Sequence, residues 1–347
     1  MSNMKLGLTF ADVLMVPKYS DIESRSQVDL SVDLGKGFKF ELPFTPANMS
    51  DITGIEMAWK FYTLKGLALL HRFDTFENRA GMIEQLRVRC GSDDILNYVG
   101  ISIGVKEKDK EELKYFIEQQ KVKIICIDIA HLDSKLGLAM TKYVADTYPN
   151  ILLIAGTVAT GAGAERVWKA GCDCVRIGIG AGSICSTRLE TNNGVPQLHA
   201  IMSVREKQKE LQPNFNRKLT FISDGGKSIP AHFCIALGAG ADMCMSGNFF
   251  SSTSETPGDI VEIDGVKYKQ YNGSSTHKDS RIEGTKSLKK FKGPIDPIIK
   301  RLKEGIQSCC SYQNSHNLDE LKENVEFIQI TQAGFVEGGH HNLDRIL

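Results

Sequence analysis

Eight short apolar runs, separated by stretches of helical pattern, constrain the fold of this chain more than any other feature. They are PFTPAN (43–48), LALLH (67–71), YVGISIG (98–104), KIICIDIA (123–130), ILLIAG (151–156), CVRIGI (174–179), LTFISDGG (219–226) and ADMCMSG (241–247). Continuous apolar runs of this length belong to strands buried on both faces, and alternation with helices makes the sheet parallel. KEELKYFIEQQ (110–120) and LAMTKYVADTY (138–148) are two of the intervening amphipathic segments. Eight such units predict an α/β fold, a (β/α)8 TIM barrel, as one catalytic domain over residues 1–347. Pro46 stands against the first run, because proline removes a ladder donor.

Charge and composition narrow the function. With 42 basic and 42 acidic residues among 347, no global field steers the chain to nucleic acid or to a membrane. No apolar stretch approaches the roughly 20 residues that span a bilayer. The opening MSNMKLGLTFADVL has no signal-peptide order. Nine scattered cysteines, an odd count, suit a reducing cytoplasm better than a disulfide framework.

Two segments echo each other: AGCDCVRIG (170–178) and AGADMCMSG (239–247) share Ala-Gly-x-Asp, four residues and then Gly. In each, Gly171 or Gly240 ends a helix and the following strand delivers a glycine at its far end. Residues 249–294 are rich in Ser, Thr, Lys and Gly, and Asp264-Gly265 inside VEIDGVKYKQY (261–271) is a hairpin turn. An insert at this place in a barrel is expected to form a mobile flap over the mouth. The segment 296–312 returns to helical pattern, and QKELQPNFNRK (208–218) reads as a surface excursion.

Barrel enzymes carry their chemistry on loops after the strand C-termini. Those positions hold Asn48, His71, Asp128 with His131, Thr157, the loop GIGAGSICSTR (178–188), Asp224-Gly225-Gly226 and Gly247-Asn248. The glycines after the seventh and eighth runs leave backbone N–H groups free to face a phosphate. Cys185 lies on the same rim and is either a nucleophile or a packing thiol. Thr187 and Arg188 beside it offer a proton relay and positive charge. The other cysteines have structural contexts, and neither Cys172-x-Cys174 nor Cys309-Cys310 has zinc-ligand spacing.

GIGAGSICSTR, ISDGG (222–226), MSGNFFSSTSETPGD (245–259) and IDIAH (127–131) together resemble the IMP dehydrogenase/GMP reductase family. The resemblance runs from LTFADVLMVPKYSDIESRSQVDL near the start to LKENVEFIQIT near the end. Within the family the chain is most like the reductases. It lacks the regulatory CBS-domain insertion that most of the dehydrogenases carry. YNGSS (271–275) and RIEGTKSLKKFKG (281–293) are similar to a reductase flap, and QSCCSY (307–312) to the reductase C-terminal pattern. The dehydrogenases usually place an Arg-Tyr pair on their flap, whereas the only arginine of 249–294 is Arg281, followed by isoleucine. Ala181 stands where the family usually has proline, and Thr157 where it usually has asparagine.

The resemblance implies NADPH-dependent reductive deamination of GMP to IMP and ammonia through a covalent cysteine thioimidate. It makes Cys185 the nucleophile, with Thr187 and Glu283 as proton relay. It places the nucleotide on Ser183, Asp224, Gly225, Gly226, Gly247 and Asn248, with Tyr271, Gly273, Ser274 and Gly284 from the flap. Asp128, Ile129, Ala130, Gly178, Ser308 and Ser311 would form the cofactor surface. Backbone carbonyls of the turn made by Gly180, Gly182, Cys185 and Arg188 would hold potassium, and the family's barrels commonly assemble as homotetramers. Three other readings are an IMP dehydrogenase without the CBS domain, a retired barrel that only binds nucleotide, and a sugar-phosphate barrel enzyme.

Overall fold

The computed structural model describes residues 4–272 and 286–339. Each of the eight apolar runs contains a strand of one parallel sheet: Phe44–Pro46, Ala68–Leu70, Val99–Ile103, Ile124–Asp128, Leu152–Val158, Cys174–Ile177, Thr220–Asp224 and Met243–Ser246. Neighbours in sequence pair in turn from the second strand to the eighth, and the eighth pairs with the first at Cys244↔Phe44 and Ser246↔Pro46. Nearly all of these strand residues are buried, as helices cover the outside and side chains fill the inside.

The one seam without a ladder lies between the first and second strands. Pro43 and Ala47 make the backbone bonds to the eighth strand, Cys244 N–H to the Pro43 carbonyl at 2.9 Å and Ala47 N–H to the Ser246 carbonyl at 3.1 Å. Strand alternation therefore turns the Pro46 nitrogen toward the seam, where no donor is required, and this removes the objection to the first run. The buried Thr45 hydroxyl bridges the seam instead, donating to the Leu67 carbonyl at 2.7 Å.

The sequence echo has a structural counterpart. Asp173 accepts the Leu153 N–H at 2.9 Å, and Asp242 accepts the Phe221 N–H at 2.8 Å. Each aspartate also returns its own N–H to the carbonyl of that same residue at 3.0 Å. Each carboxylate is matched by a lysine, Lys36 at 2.8 Å and Lys322 at 2.7 Å.

Two local readings need correction. Residues 208–211 are not surface excursion but the end of the helix Gln197–Leu211, whose Gln208 and Leu211 are buried. Pro213 then forces the chain out of α geometry into the turn Gln212–Asn214. The insert also begins as core: Phe250 is fully buried, stacks on Phe44 at 5.9 Å and meets Phe61 edge-on. Beyond it, Val261–Ile263 and Val266–Asn272 form the expected hairpin, with Asp264 and Gly265 both at positive φ as a two-residue turn of this kind requires. A third strand, Lys286–Lys290, pairs antiparallel with the second. The helix Asp296–Tyr312 follows as expected. Outside the barrel sheet, Val13–Met15 pairs antiparallel with Phe327–Gln329. No helix among the described residues is long and apolar enough to cross a membrane.

Candidate active site

The loops after the strands enclose a cavity of about 470 Å³ at the barrel mouth, a size suited to a small-molecule ligand. It is lined by Gly178, Gly180, Ser183, Cys185 and Thr187 from the loop after the sixth strand. Asp224, Gly225 and Gly226 come from the seventh, Gly247 and Asn248 from the eighth, and Tyr271 from the insert. Asp128, Ile129 and Ala130 close the other side with Arg72 and Phe73. Most residues singled out by sequence thus converge on one space.

The sixth and seventh loops are packed backbone to backbone. Gly178 has φ +149°, and a Cβ there would lie 2.0 Å from the Asp224 carbonyl oxygen. Gly225, at φ +81°, would set a Cβ 3.2 Å from the Gly182 nitrogen. Glycine is required at both places because no side chain fits between the loops. Buried Lys227 fastens the seventh loop, donating to the Ser223 carbonyl at 2.9 Å and the Gly225 carbonyl at 2.7 Å.

Cys185 is half-buried in the cavity wall, and its thiol donates to the Thr187 hydroxyl at 3.2 Å. Six other cysteines are buried, and burial pushes the Cys126 thiol up to about 12 and that of Cys244 up to about 11. Those thiols are packing groups. Cys185 alone among the cysteines lines the cavity, beside the Thr187 hydroxyl. Tyr271 presents its hydroxyl to the same wall, 3.4 Å from the Ser183 hydroxyl. Burial raises its pKa to about 12, so it remains a donor at neutral pH.

The cavity floor is an ionic network. The Arg176 guanidinium pairs with Asp128 and lies 3.4 Å from the Asp224 carboxylate. It also donates to the Asn48 side-chain oxygen at 2.7 Å. Burial raises the pKa of Asp224, and the charges of Arg176 and Lys227 oppose the rise. Arg176 was not among the expected site residues, although an arginine inside the apolar run CVRIGI was its signal. A cation buried in a strand needs fixed counter-charges.

Other expected residues lie elsewhere. Ser308 and Ser311 sit on the outer helix Asp296–Tyr312 and do not line the cavity. His131 is exposed outside it, and His71 is buried, accepting the Phe73 N–H at 3.2 Å and facing a second cavity. Glu283, Gly273, Ser274 and Gly284 fall outside the described residues. Gly182 keeps its carbonyl within the loop, where it accepts the Cys185 N–H at 3.1 Å. Among the described residues no group of three or more His, Cys, Asp or Glu side chains could hold a metal ion.

The fold and the cysteine-bearing mouth define a TIM-barrel enzyme. The domain family described as IMP dehydrogenase / GMP reductase matches residues 7–341, and the chain belongs to that family. It is 34% identical over 348 residues to a GMP reductase of Buchnera aphidicola subsp. Acyrthosiphon pisum (strain Tuc7), covering 95% of each chain. It is 32% identical over 345 residues to GMP reductase 2 of Homo sapiens, covering 94% of each. An inosine-5′-monophosphate dehydrogenase of Nitrosopumilus maritimus is 26% identical over 477 residues, covering 98% of this chain and 99% of that protein. The fold is shared with the crystal structure of a cysteine-to-alanine variant of GMP reductase from Trypanosoma brucei in complex with guanosine 5′-monophosphate. That match has a TM-score of 0.88 and 22% identity, and covers 99% of each chain.

Proposed function

We propose that this protein is a GMP reductase, converting GMP and NADPH to IMP, ammonia and NADP⁺ in purine nucleotide interconversion. The carrying observation is the Cys185 thiol held 3.2 Å from the Thr187 hydroxyl, inside a cavity whose other walls suit a nucleoside monophosphate. Reductase relatives above 30% identity, the Buchnera and human proteins among them, support the choice within the family.

In this reading the phosphate takes the backbone N–H groups of Gly225, Gly226 and Gly247, with the hydroxyls of Ser183 and Tyr271. Asp224 holds the ribose hydroxyls. The guanine C2 then lies over Cys185. The thiol proton passes through the Thr187 hydroxyl to Glu283, and the thiolate attacks C2, forming the carbon–sulfur bond. The carbon–nitrogen bond breaks after the amine is protonated through Thr187 and Glu283, and ammonia leaves. A thioimidate to Cys185 remains.

For the cofactor, half-exposed Ile129 and exposed Ala130 offer a flat wall beside the cysteine, backed by the Arg72 guanidinium 4.3 Å from the centre of the Phe73 ring. That surface would hold the nicotinamide ring of NADPH, which when bound there would supply a hydride to the same carbon. The carbon–sulfur bond then breaks and Cys185 leaves as thiolate, releasing IMP. Ser308 and Ser311 do not line the cavity, and we assign their cofactor contact to a neighbouring subunit of a homotetramer. Of the turn expected to hold potassium, the Gly182 and Arg188 carbonyls already accept the Cys185 and Asn192 N–H groups, so we assign the ion to the carbonyls of Gly180 and Cys185. We place the reaction in the cytoplasm, where nine free thiols persist.

The test follows the ultraviolet absorbance of the cofactor with GMP and NADPH, beside IMP and NAD⁺. A fall with GMP that vanishes in Cys185→Ala establishes the reductase. A rise with IMP instead makes the chain a dehydrogenase that lacks the Arg-Tyr pair.

A further inference from the structure

Lys289 and Lys292 send their ammonium groups to one point behind the cavity, the carbonyl of Asn248, at 2.9 and 3.0 Å. Lys289 also grips the Asn248 side-chain oxygen and donates to the Ser251 hydroxyl at 3.1 Å, so all three of its N–H groups are committed. Lys292 donates in addition to the Phe249 carbonyl at 2.9 Å. Among the described residues neither lysine has a carboxylate partner; like the buried Lys227 and Lys269, they are held by carbonyls and hydroxyls, and unlike those two they meet at one carbonyl. Loss of hydration at the ammonium, then the charge of Lys289, push Lys292 down to about 7, although the residue as a whole is exposed. An anion bound nearby would hold both amines in the charged form.

The insert sheet aims Lys289 at this place. Ser287 and Lys289 share one face of the strand Lys286–Lys290, and Ser287 stands opposite Tyr271 in register. The Lys289 ammonium consequently lies 5.4 Å from the centre of the Tyr271 ring. One side chain thus ties together the loop after the eighth strand and the tyrosine of the insert. Because Lys289 holds the oxygen of the Asn248 amide, the –NH2 end is left for the cavity that Asn248 lines. Among the described residues that –NH2 has no acceptor.

We infer that Lys289 is a positioning residue for phosphate recognition, turning the Asn248 amide N–H toward the phosphate and, with Lys292, supplying the charge that selects a phosphate monoester dianion over an uncharged nucleoside. The inference rests on the reading of the Gly247-Asn248 loop as the phosphate site. It adds a side-chain donor and two cations to a site otherwise built of backbone and hydroxyls.

The test is calorimetric titration of the full-length protein with GMP, IMP, guanosine and inorganic phosphate, in wild type, Lys289→Met, Lys289→Arg, Asn248→Ala and the double variant. Lys289→Met is expected to weaken both monophosphates about tenfold or more while leaving guanosine within about twofold. Lys289→Arg should recover part of the loss, and the double variant should be little weaker than Asn248→Ala, because the two residues act as one unit. In turnover the loss falls on KM for GMP more than on kcat. Equal losses for GMP and guanosine, or unchanged GMP affinity in Lys289→Met, would overturn the assignment. Wild type that binds monophosphates without turning GMP over refutes the reductase and leaves this inference standing. Wild type that binds no monophosphate refutes both.

Discussion

Arg176 and Asp128 form an ion pair beneath the candidate active site, and the same guanidinium reaches 3.4 Å to Asp224. One buried cation therefore sets the spacing between a residue of the proposed cofactor side and one of the proposed ribose side. Arg176→Met leaves Asp128 with Arg72 alone, 3.6 Å away, and Asp224 with only the nearby charge of Lys227; loss of one partner of a buried pair typically costs about 3–5 kcal/mol. Denaturant titration should show a loss of that size. Arg176→Lys keeps the charge but cannot fork between two carboxylates, so its loss should be smaller and its affinity for nucleotide still reduced.

Thr187 accepts a hydrogen bond from the Cys185 thiol at 3.2 Å, and under the proposed relay its removal should slow chemistry rather than binding. Thr187→Val is expected to lower kcat by about 10²–10⁴-fold, with GMP affinity nearly unchanged by calorimetry. Cys185→Ala should bind GMP and form no covalent adduct detectable by intact mass.

Burial holds the His71 imidazole below its ordinary 6.5, and the ring nitrogen that accepts the Phe73 N–H must stay unprotonated. A histidine depressed in the native state stabilises the fold fully above 6.5. That contribution is lost as pH falls from 6.5 through the native value, because the unfolded chain takes up the proton first. Melting temperature against pH should fall on the acid side in wild type, and the fall should be shallower in His71→Phe.

Gly178→Ala tests the contact between the sixth and seventh loops. Its Cβ would enter the space 2.0 Å from the Asp224 carbonyl, so one of the two loops must move. A stability loss of about 1–3 kcal/mol together with weakened nucleotide binding is the expected outcome. Retained affinity would mean that the loops separate without harm to the site.

The barrel was legible because its strands are buried on both faces and read as unbroken apolar runs. Even Pro46, the one residue that argued against a strand, proves compatible once its nitrogen is seen to face the seam. Cys185, Asp224 and Gly247-Asn248 were legible because a strand C-terminus fixes where a loop residue must go. The strand Lys286–Lys290 was not, since KSLKK has no apolar alternation and owes its form to pairing with Val266–Asn272. Lys289 was hidden for the same reason, as only the sheet register brings it to Asn248. Phe250 was hidden in a stretch of polar composition, and its burial depends on Phe44 and Phe61, distant in sequence.

The antiparallel pair Val13–Met15 with Phe327–Gln329 has a consequence for how the molecule is made. On the ribosome, residues 13–15 emerge long before their partners are translated. The first barrel strand likewise waits for the eighth. The nascent chain must therefore carry open strand edges until those partners emerge, the barrel seam closing first and the pair at residues 13–15 only near the end of the described chain.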